Sequence, residues 1–175
     1  HTWSSCRTWL RLPMRGCMES SVVELRDGRL LMTMRTQLGA VFQSWSADGG
    51  ESWAKPQTTG LRAPESCPRI ERIPSTGDLL LTWNHSQYDP EFRSHYGKRT
   101  PLTAAISSDE GQTWGQIRNI EDDPERAFTN PGCCFTRDNR LILNYWTCPY
   151  DPTGKMLGDQ IDLKLAIIDV DWFYD

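Results

Sequence analysis

The chain has 175 residues and a formal net charge of −4, with 19 Lys and Arg against 23 Asp and Glu. That balance gives a polyanion such as nucleic acid no electrostatic hold, and no apolar run reaches the roughly 18 residues that a membrane helix needs. The six Cys form no C-x-x-C pair and the three His fall in no ligand pattern, so neither a metal nor any other cofactor is expected.

The chain begins at His1 rather than Met, as a fragment or processed product would, and no signal peptide is visible. Cys6, Cys17, Cys67, Cys133, Cys134 and Cys148 are read as free thiols. Residues 1–16 hold Trp3, Trp9, Leu10 and Leu12, and are expected to form the outer strands of a preceding sheet.

Three later segments, 22–32, 69–81 and 134–143, share one pattern. Each is an apolar strand, a turn, and a second apolar strand. The turns are built on Asp27-Gly28, Thr76-Gly77 and Asp138-Asn139. The first two segments are each followed by a matched octapeptide. One is Ser46-Ala47-Asp48-Gly49-Gly50-Glu51-Ser52-Trp53, the other Ser107-Ser108-Asp109-Glu110-Gly111-Gln112-Thr113-Trp114. Both read S-x-D-x-G-x-[S/T]-W. In a hairpin turn, Asp accepts bonds from turn N–H groups and Gly supplies positive φ, while the Trp ring covers the hairpin base.

Trp53 and Trp114 lie about 60 positions apart, a period that suits the four short strands of one propeller blade. The expected fold is therefore all-β, a β-propeller of four-stranded antiparallel blades spanning 17–56, 65–115 and 127–172. Residues 121–126 are a polar connector. In the third blade 163–170 is the last strand, closing with Trp172-Phe173. The octapeptide is absent there, and 149–158 reads as a longer loop. Closed propellers have roughly four to eight blades. Other polypeptide, a second copy or a missing segment, is expected to cover the open faces, which would otherwise invite aggregation.

The octapeptide is identified as an Asp-box, and nearly the whole chain resembles the sialidase (neuraminidase) superfamily. The resemblance implies a six-bladed propeller of which residues 1–175 are the C-terminal part, with the box joining the two outer strands of a blade. It extends to Glu19 in Glu19-Ser20-Ser21-Val22-Val23-Glu24-Leu25, to Arg35 in Met32-Thr33-Met34-Arg35, and to Arg99 in Arg99-Thr100-Pro101-Leu102-Thr103. By resemblance, Arg35 and Arg99 are two of the three arginines that grip the sialic acid carboxylate. Glu19 is the carboxylate that polarises the nucleophile. A guanidinium suits this task because it is a planar fork of donors that stays charged. The family's acid/base Asp and first triad Arg belong to an N-terminal half not contained in this sequence.

The resemblance breaks at the nucleophile, which is a Tyr in sialidases. Here the corresponding stretch is Ala127-Phe128-Thr129-Asn130-Pro131, which puts Phe128 in the Tyr position. Tyr145 or Tyr150 would serve if the loop were shifted. Asn84, Arg69 and Glu65 fall on the same rim by a coarse strand count, where they would contact sugar hydroxyls.

These readings imply an exo-α-sialidase-like glycoside hydrolase acting on sialic acid or a related acidic sugar, atypical because of Phe128. The alternatives are a non-catalytic carbohydrate-binding propeller and an assembly scaffold. The expected partners are an acidic sugar or glycoconjugate and the rest of the propeller. Family resemblance favours a secreted or periplasmic location.

Overall fold

Strand pairing begins where the Asp-Gly and Thr-Gly turns reverse the chain. The structure is a computed structural model that describes residues 2–92 and 94–175; His1, one of the three histidines considered above, and Arg93 lie outside the described residues. The first sheet contains β1 (Met18–Glu24), β2 (Leu30–Arg35), β3 (Ala40–Ser46) and β4 (Gln57–Arg62), in that order. The second contains β5 (Arg69–Arg72), β6 (Leu79–Asn84), β7 (Leu102–Ser107) and β8 (Gly115–Glu121), again in chain order. The third contains β9 (Arg126–Phe135), β10 (Arg140–Pro149) and β11 (Asp162–Asp169), followed by a 3-10 turn at Val170–Phe173. All neighbours are antiparallel. No helix among the described residues is long and apolar enough to cross a membrane.

The sheets pack face to face, and the middle sheet is covered on both sides. Its strands therefore read as continuous apolar runs, while their side chains still alternate between two cores. Leu79, Leu81 and Trp83, with Ile70 of β5, face the first sheet and meet Leu31, Val41 and Leu61. Leu80, Leu102, Ala104 and Ile106 face the third sheet and meet Phe128, Leu141, Leu143 and Tyr145. Val170 and Phe173 of the 3-10 turn close this second core. β1, β5 and β9 are the inner strands that touch one another across the blades.

Two expectations are corrected here. The third sheet has three strands rather than four. Residues 2–16 form no strand, because their bonds go to the first Asp-box. The Arg7 amide donates to the Glu51 carbonyl at 2.8 Å, and the Trp53 amide donates to Thr8 Oγ1 at 3.1 Å. Arg7 also pairs with Asp48 and Glu51.

The two Asp-boxes close the β3–β4 and β7–β8 hairpins with nearly the same bonds. In the first, the Ser52 amide donates to Asp48 Oδ1 at 2.8 Å and the Ser52 hydroxyl to Oδ2 at 2.5 Å. The Gly50 amide donates to Ser46 Oγ at 2.9 Å. In the second, Thr113 makes the same two bonds to Asp109 at the same distances. The Gly111 amide donates to Ser107 Oγ at 2.8 Å. The Ser52 hydroxyl and amide, with help from Ser46, pull the Asp48 pKa down to about 2. The second box also ties two blades together, because Glu110 accepts from the Arg72 guanidinium through both oxygens at 2.9 Å and from the Arg26 amide at 2.8 Å.

Candidate functional site

Three inner-strand segments bring their polar residues to one place. β1 shifts register between Met18 and Ser21, and Glu19 inside that bulge has a φ of 36°. The β9–β10 ladder also slips beside Asn130, whose φ is 54°. Bulges re-aim side chains, and non-glycine residues at positive φ each cost about 1–3 kcal/mol unless their surroundings hold them. Both strained residues point their polar groups into the same cluster. The third contribution is the 65–68 segment leading into β5. Its Glu65-Ser66 matches Glu19-Ser20 at the head of the previous blade.

Arg35, at the end of β2, is the hub. Its guanidinium contacts Glu19 Oε2 at 2.5 Å and Glu65 Oε1 at 3.3 Å. Glu65 is fully buried and also receives Arg15 at 2.6 Å. Arg99 stands opposite and is 2% exposed. Its guanidinium donates to the Glu65 carbonyl at 3.1 Å, to Asn130 Oδ1 at 3.4 Å and to the Thr129 hydroxyl. Its backbone is locked as well. The Arg99 amide donates to the Tyr150 hydroxyl at 2.7 Å, and the Arg99 carbonyl accepts from the Phe128 amide at 2.8 Å.

Cys67 sits between the two arginines. Its Sγ lies 2.9 Å from Glu19 Oε2, 3.5 Å from Asn130 Oδ1 and 3.8 Å from the Arg35 guanidinium. Burial works to raise the Glu19 pKa. The Cys67 thiol and Arg35 outweigh burial, so the carboxyl stays below its ordinary range. Burial and then Glu19 push the Cys67 thiol up, which keeps it protonated. His95 is driven down to about 4, first by burial and then by Arg99 and Arg35, so it is neutral at neutral pH.

Among the described residues the ion pairs of the cluster join Arg15 and Arg35 to Glu65 and Arg35 to Glu19, while the Arg99 guanidinium bonds to neutral oxygens. Arg35 and Arg99 each keep an Nε without a hydrogen-bond partner among the described residues. An open cleft of about 530 Å³ adjoins the cluster along Arg15, Glu65, Phe92, His95 and Tyr96. A second, of about 250 Å³, runs along Cys17, Met18, Glu19 and Met34. Among the described residues no group of three or more His, Cys, Asp or Glu is placed to hold a metal ion.

The other residues singled out in the sequence lie elsewhere. Phe128 is a core residue, 2% exposed, with its ring edge-on to Tyr145 at 6.0 Å. The pleat of β9 turns it into the blade interface, while its neighbour Thr129 meets Arg99. Asn84 is buried and structural: its Nδ2 donates to the Arg99 carbonyl at 2.9 Å and the Phe128 carbonyl at 2.8 Å. Arg69 pairs with Glu71 instead of joining Arg35 and Arg99. The Tyr145 hydroxyl is bonded to Glu121. Burial raises the Tyr150 pKa to about 12, and its hydroxyl is taken by the Arg99 amide. Cys67 and Asn130 have no role in the sequence reading. The repeated Glu-Ser pair at the blade heads is a sequence signal that could have found this region.

Residues 1–143 match the model of the BNR repeat-like domain. The chain belongs to the BNR repeat-like domain family. It is a sialidase-like propeller in fold. It superposes on the NanB sialidase from Streptococcus pneumoniae with a TM-score of 0.72 at 17% identity, covering 97% of this chain and 26% of that one. The intramolecular trans-sialidase from Ruminococcus gnavus gives 0.65 at 20% identity over 87% of this chain and 32% of that one. The α-L-arabinanase from Penicillium chrysogenum gives 0.57 at 18% identity over 88% and 46%. The chain thus spans between about a quarter and a half of these solved chains. No curated protein sequence matches it.

Proposed function

We propose that residues 1–175 supply the anion-gripping part of an exo-α-sialidase-like glycoside hydrolase site, and that its ligand is sialic acid or a related acidic sugar. The observation that supports this is the gathering of Arg35, Arg99 and Glu19 in one cluster, with Arg35 on Glu19, Arg99 on Asn130 and two open clefts beside it. In this reading the guanidiniums take the sugar carboxylate and Glu19 serves the reacting carbon. The three sheets are read as three blades, 17–56, 65–115 and 127–172, of one larger propeller, whose remaining blades would bring the acid/base group and a third arginine.

A non-catalytic carbohydrate-binding propeller is the second reading. It is favoured by the phenols, since those of Tyr145 and Tyr150 are bonded to other groups.

Calorimetry with N-acetylneuraminic acid tests the binding. Arg35→Ala and Arg99→Ala should each weaken it by about 2–3 kcal/mol, the worth of a charge-assisted bond. Unchanged affinity in both variants would remove the anion site. Turnover of a fluorogenic sialoside separates the enzyme from the binding module.

A further inference from the structure

We infer that Cys67 is the nucleophile of this site and that Glu19 is its base; the inference rests on the acidic-sugar reading above. Nucleophilic catalysis has a recognisable geometry. The attacking group lies within hydrogen-bond reach of a base, and a third group orients that base. Cys67 Sγ is 2.9 Å from Glu19 Oε2, and Arg35 holds the same oxygen at 2.5 Å. Glu19 and Cys67 come from different blades, 48 positions apart, so the pairing is a product of the fold.

The surroundings point independently to an anionic ligand. Arg35 and Arg99 are 7% and 2% exposed, and each has a buried Nε without a hydrogen-bond partner among the described residues. Cys67 Sγ is 3.8 Å from the Arg35 guanidinium, so in this inference the atom it attacks is the anomeric carbon that adjoins a carboxylate held there. The thiol is neutral at rest because burial and Glu19 raise its pKa. A neutral sulfur does not repel the sugar's own carboxylate, as a second carboxylate would.

The step balances with groups of this chain alone when the leaving group departs as an anion. The S–H proton passes to Glu19 Oε2. The freed sulfur pair forms the bond to the anomeric carbon. The bond from that carbon to the leaving group breaks, and the leaving group keeps its electron pair. Nothing is oxidised or reduced.

2,3-Difluoro-N-acetylneuraminic acid is the probe, because fluoride leaves without a proton. The expected result is one glycosyl unit added per chain by intact mass, one fluoride released, and the adduct mapped to Cys67 by peptide sequencing. That mapping uses the unaltered protein and does not depend on a variant folding. Cys67→Ala should lose the adduct while binding free N-acetylneuraminic acid within about threefold. Glu19→Gln should slow labelling by about 100-fold or more, the usual worth of a positioned base. An adduct on Tyr150 or any other residue overturns the inference, as does no adduct in a protein that still binds the free sugar; both leave the acidic-sugar reading standing. Failure to bind the free sugar at all overturns both.

Discussion

The Arg35 guanidinium lies 3.3 Å from Oε1 of Glu65, a carboxylate with no exposed side-chain surface. The proposed anion site thus contains a buried counter-ion for one of its arginines. Glu65 also places the second arginine, since its carbonyl accepts from Arg99 at 3.1 Å.

Removing that carboxylate should therefore destabilise the protein. Glu65→Gln leaves Arg35 with Glu19 alone and strips the buried pairing from Arg15. Breaking one side of a buried pair costs about 3–5 kcal/mol, and the remaining Glu19 contact puts the expectation near the lower figure. Urea denaturation measures it. A loss under about 1 kcal/mol would mean that Arg35 is solvated rather than paired.

Phe128→Tyr is a second probe, because it separates sequence alignment from packing. The sequence puts this residue at the nucleophile's position, and the fold puts it in the core beside Tyr145. An added hydroxyl there meets apolar neighbours. The expected outcome is a loss of about 1–3 kcal/mol in stability and no gain in sialoside turnover. A gain in turnover would show that β9 carries Phe128 on the site face.

Much of the fold was legible in the sequence because its signals are local. Turn residues, paired apolar runs and the two Asp-boxes each act within one hairpin. Arg35, Arg99 and Glu19 were singled out for a related reason, as each lies in a short recognisable stretch; the fold brings them into one cluster, and their role is the proposal above. Phe128 was misread because the bulge at Asn130 resets which face each residue of β9 presents, and a one-residue slip exchanges core for site. Cys67 was invisible because a lone cysteine in sequence looks like a small apolar residue; its meaning comes from Glu19 on another blade. Residues 2–16 were misread as strands because their apolar residues carry no alternation, and only the nearby Asp-box shows where their backbone bonds go.

Acid should destabilise the protein through His95 at the site and through His85 away from it, whose pKa is lowered by burial and Arg62. His95 has a folded pKa of about 4 against an ordinary 6.5. Above pH 6.5 it is neutral in both states and contributes nothing. Between 6.5 and 4 the unfolded chain takes up a proton that the folded chain refuses, so stability falls as pH falls through this window. Carboxylates with lowered pKa values, Glu19 and Asp48, add their own loss below their ordinary range. Thermal denaturation from pH 8 to pH 4 should show the decline, and His95→Gln should flatten it between 6.5 and 4. An unchanged slope in that variant would assign the effect to other groups.

The two Asp-boxes make the last comparison, because they share one bonding pattern in two settings. Gly50 and Gly111 occupy the same place in the repeat, with φ of 94° and 82°. An alanine at either position is strained by about 1 kcal/mol from positive φ alone. The settings then differ. A Cβ at Gly50 would lie 3.5 Å from Leu30 Cδ1, an ordinary contact, whereas one at Gly111 would lie 2.4 Å from Leu31 Cδ2. Leu31 is fully buried in the core between the first two blades, so it has no room to withdraw. Gly111→Ala should therefore cost about 1–3 kcal/mol more than Gly50→Ala, the usual cost of overpacking. Equilibrium unfolding of the two single variants measures the difference directly. Equal losses would mean that the second box is an ordinary surface hairpin, and that the first two blades are held together by Glu110 and its arginines without the close packing of Gly111 on Leu31.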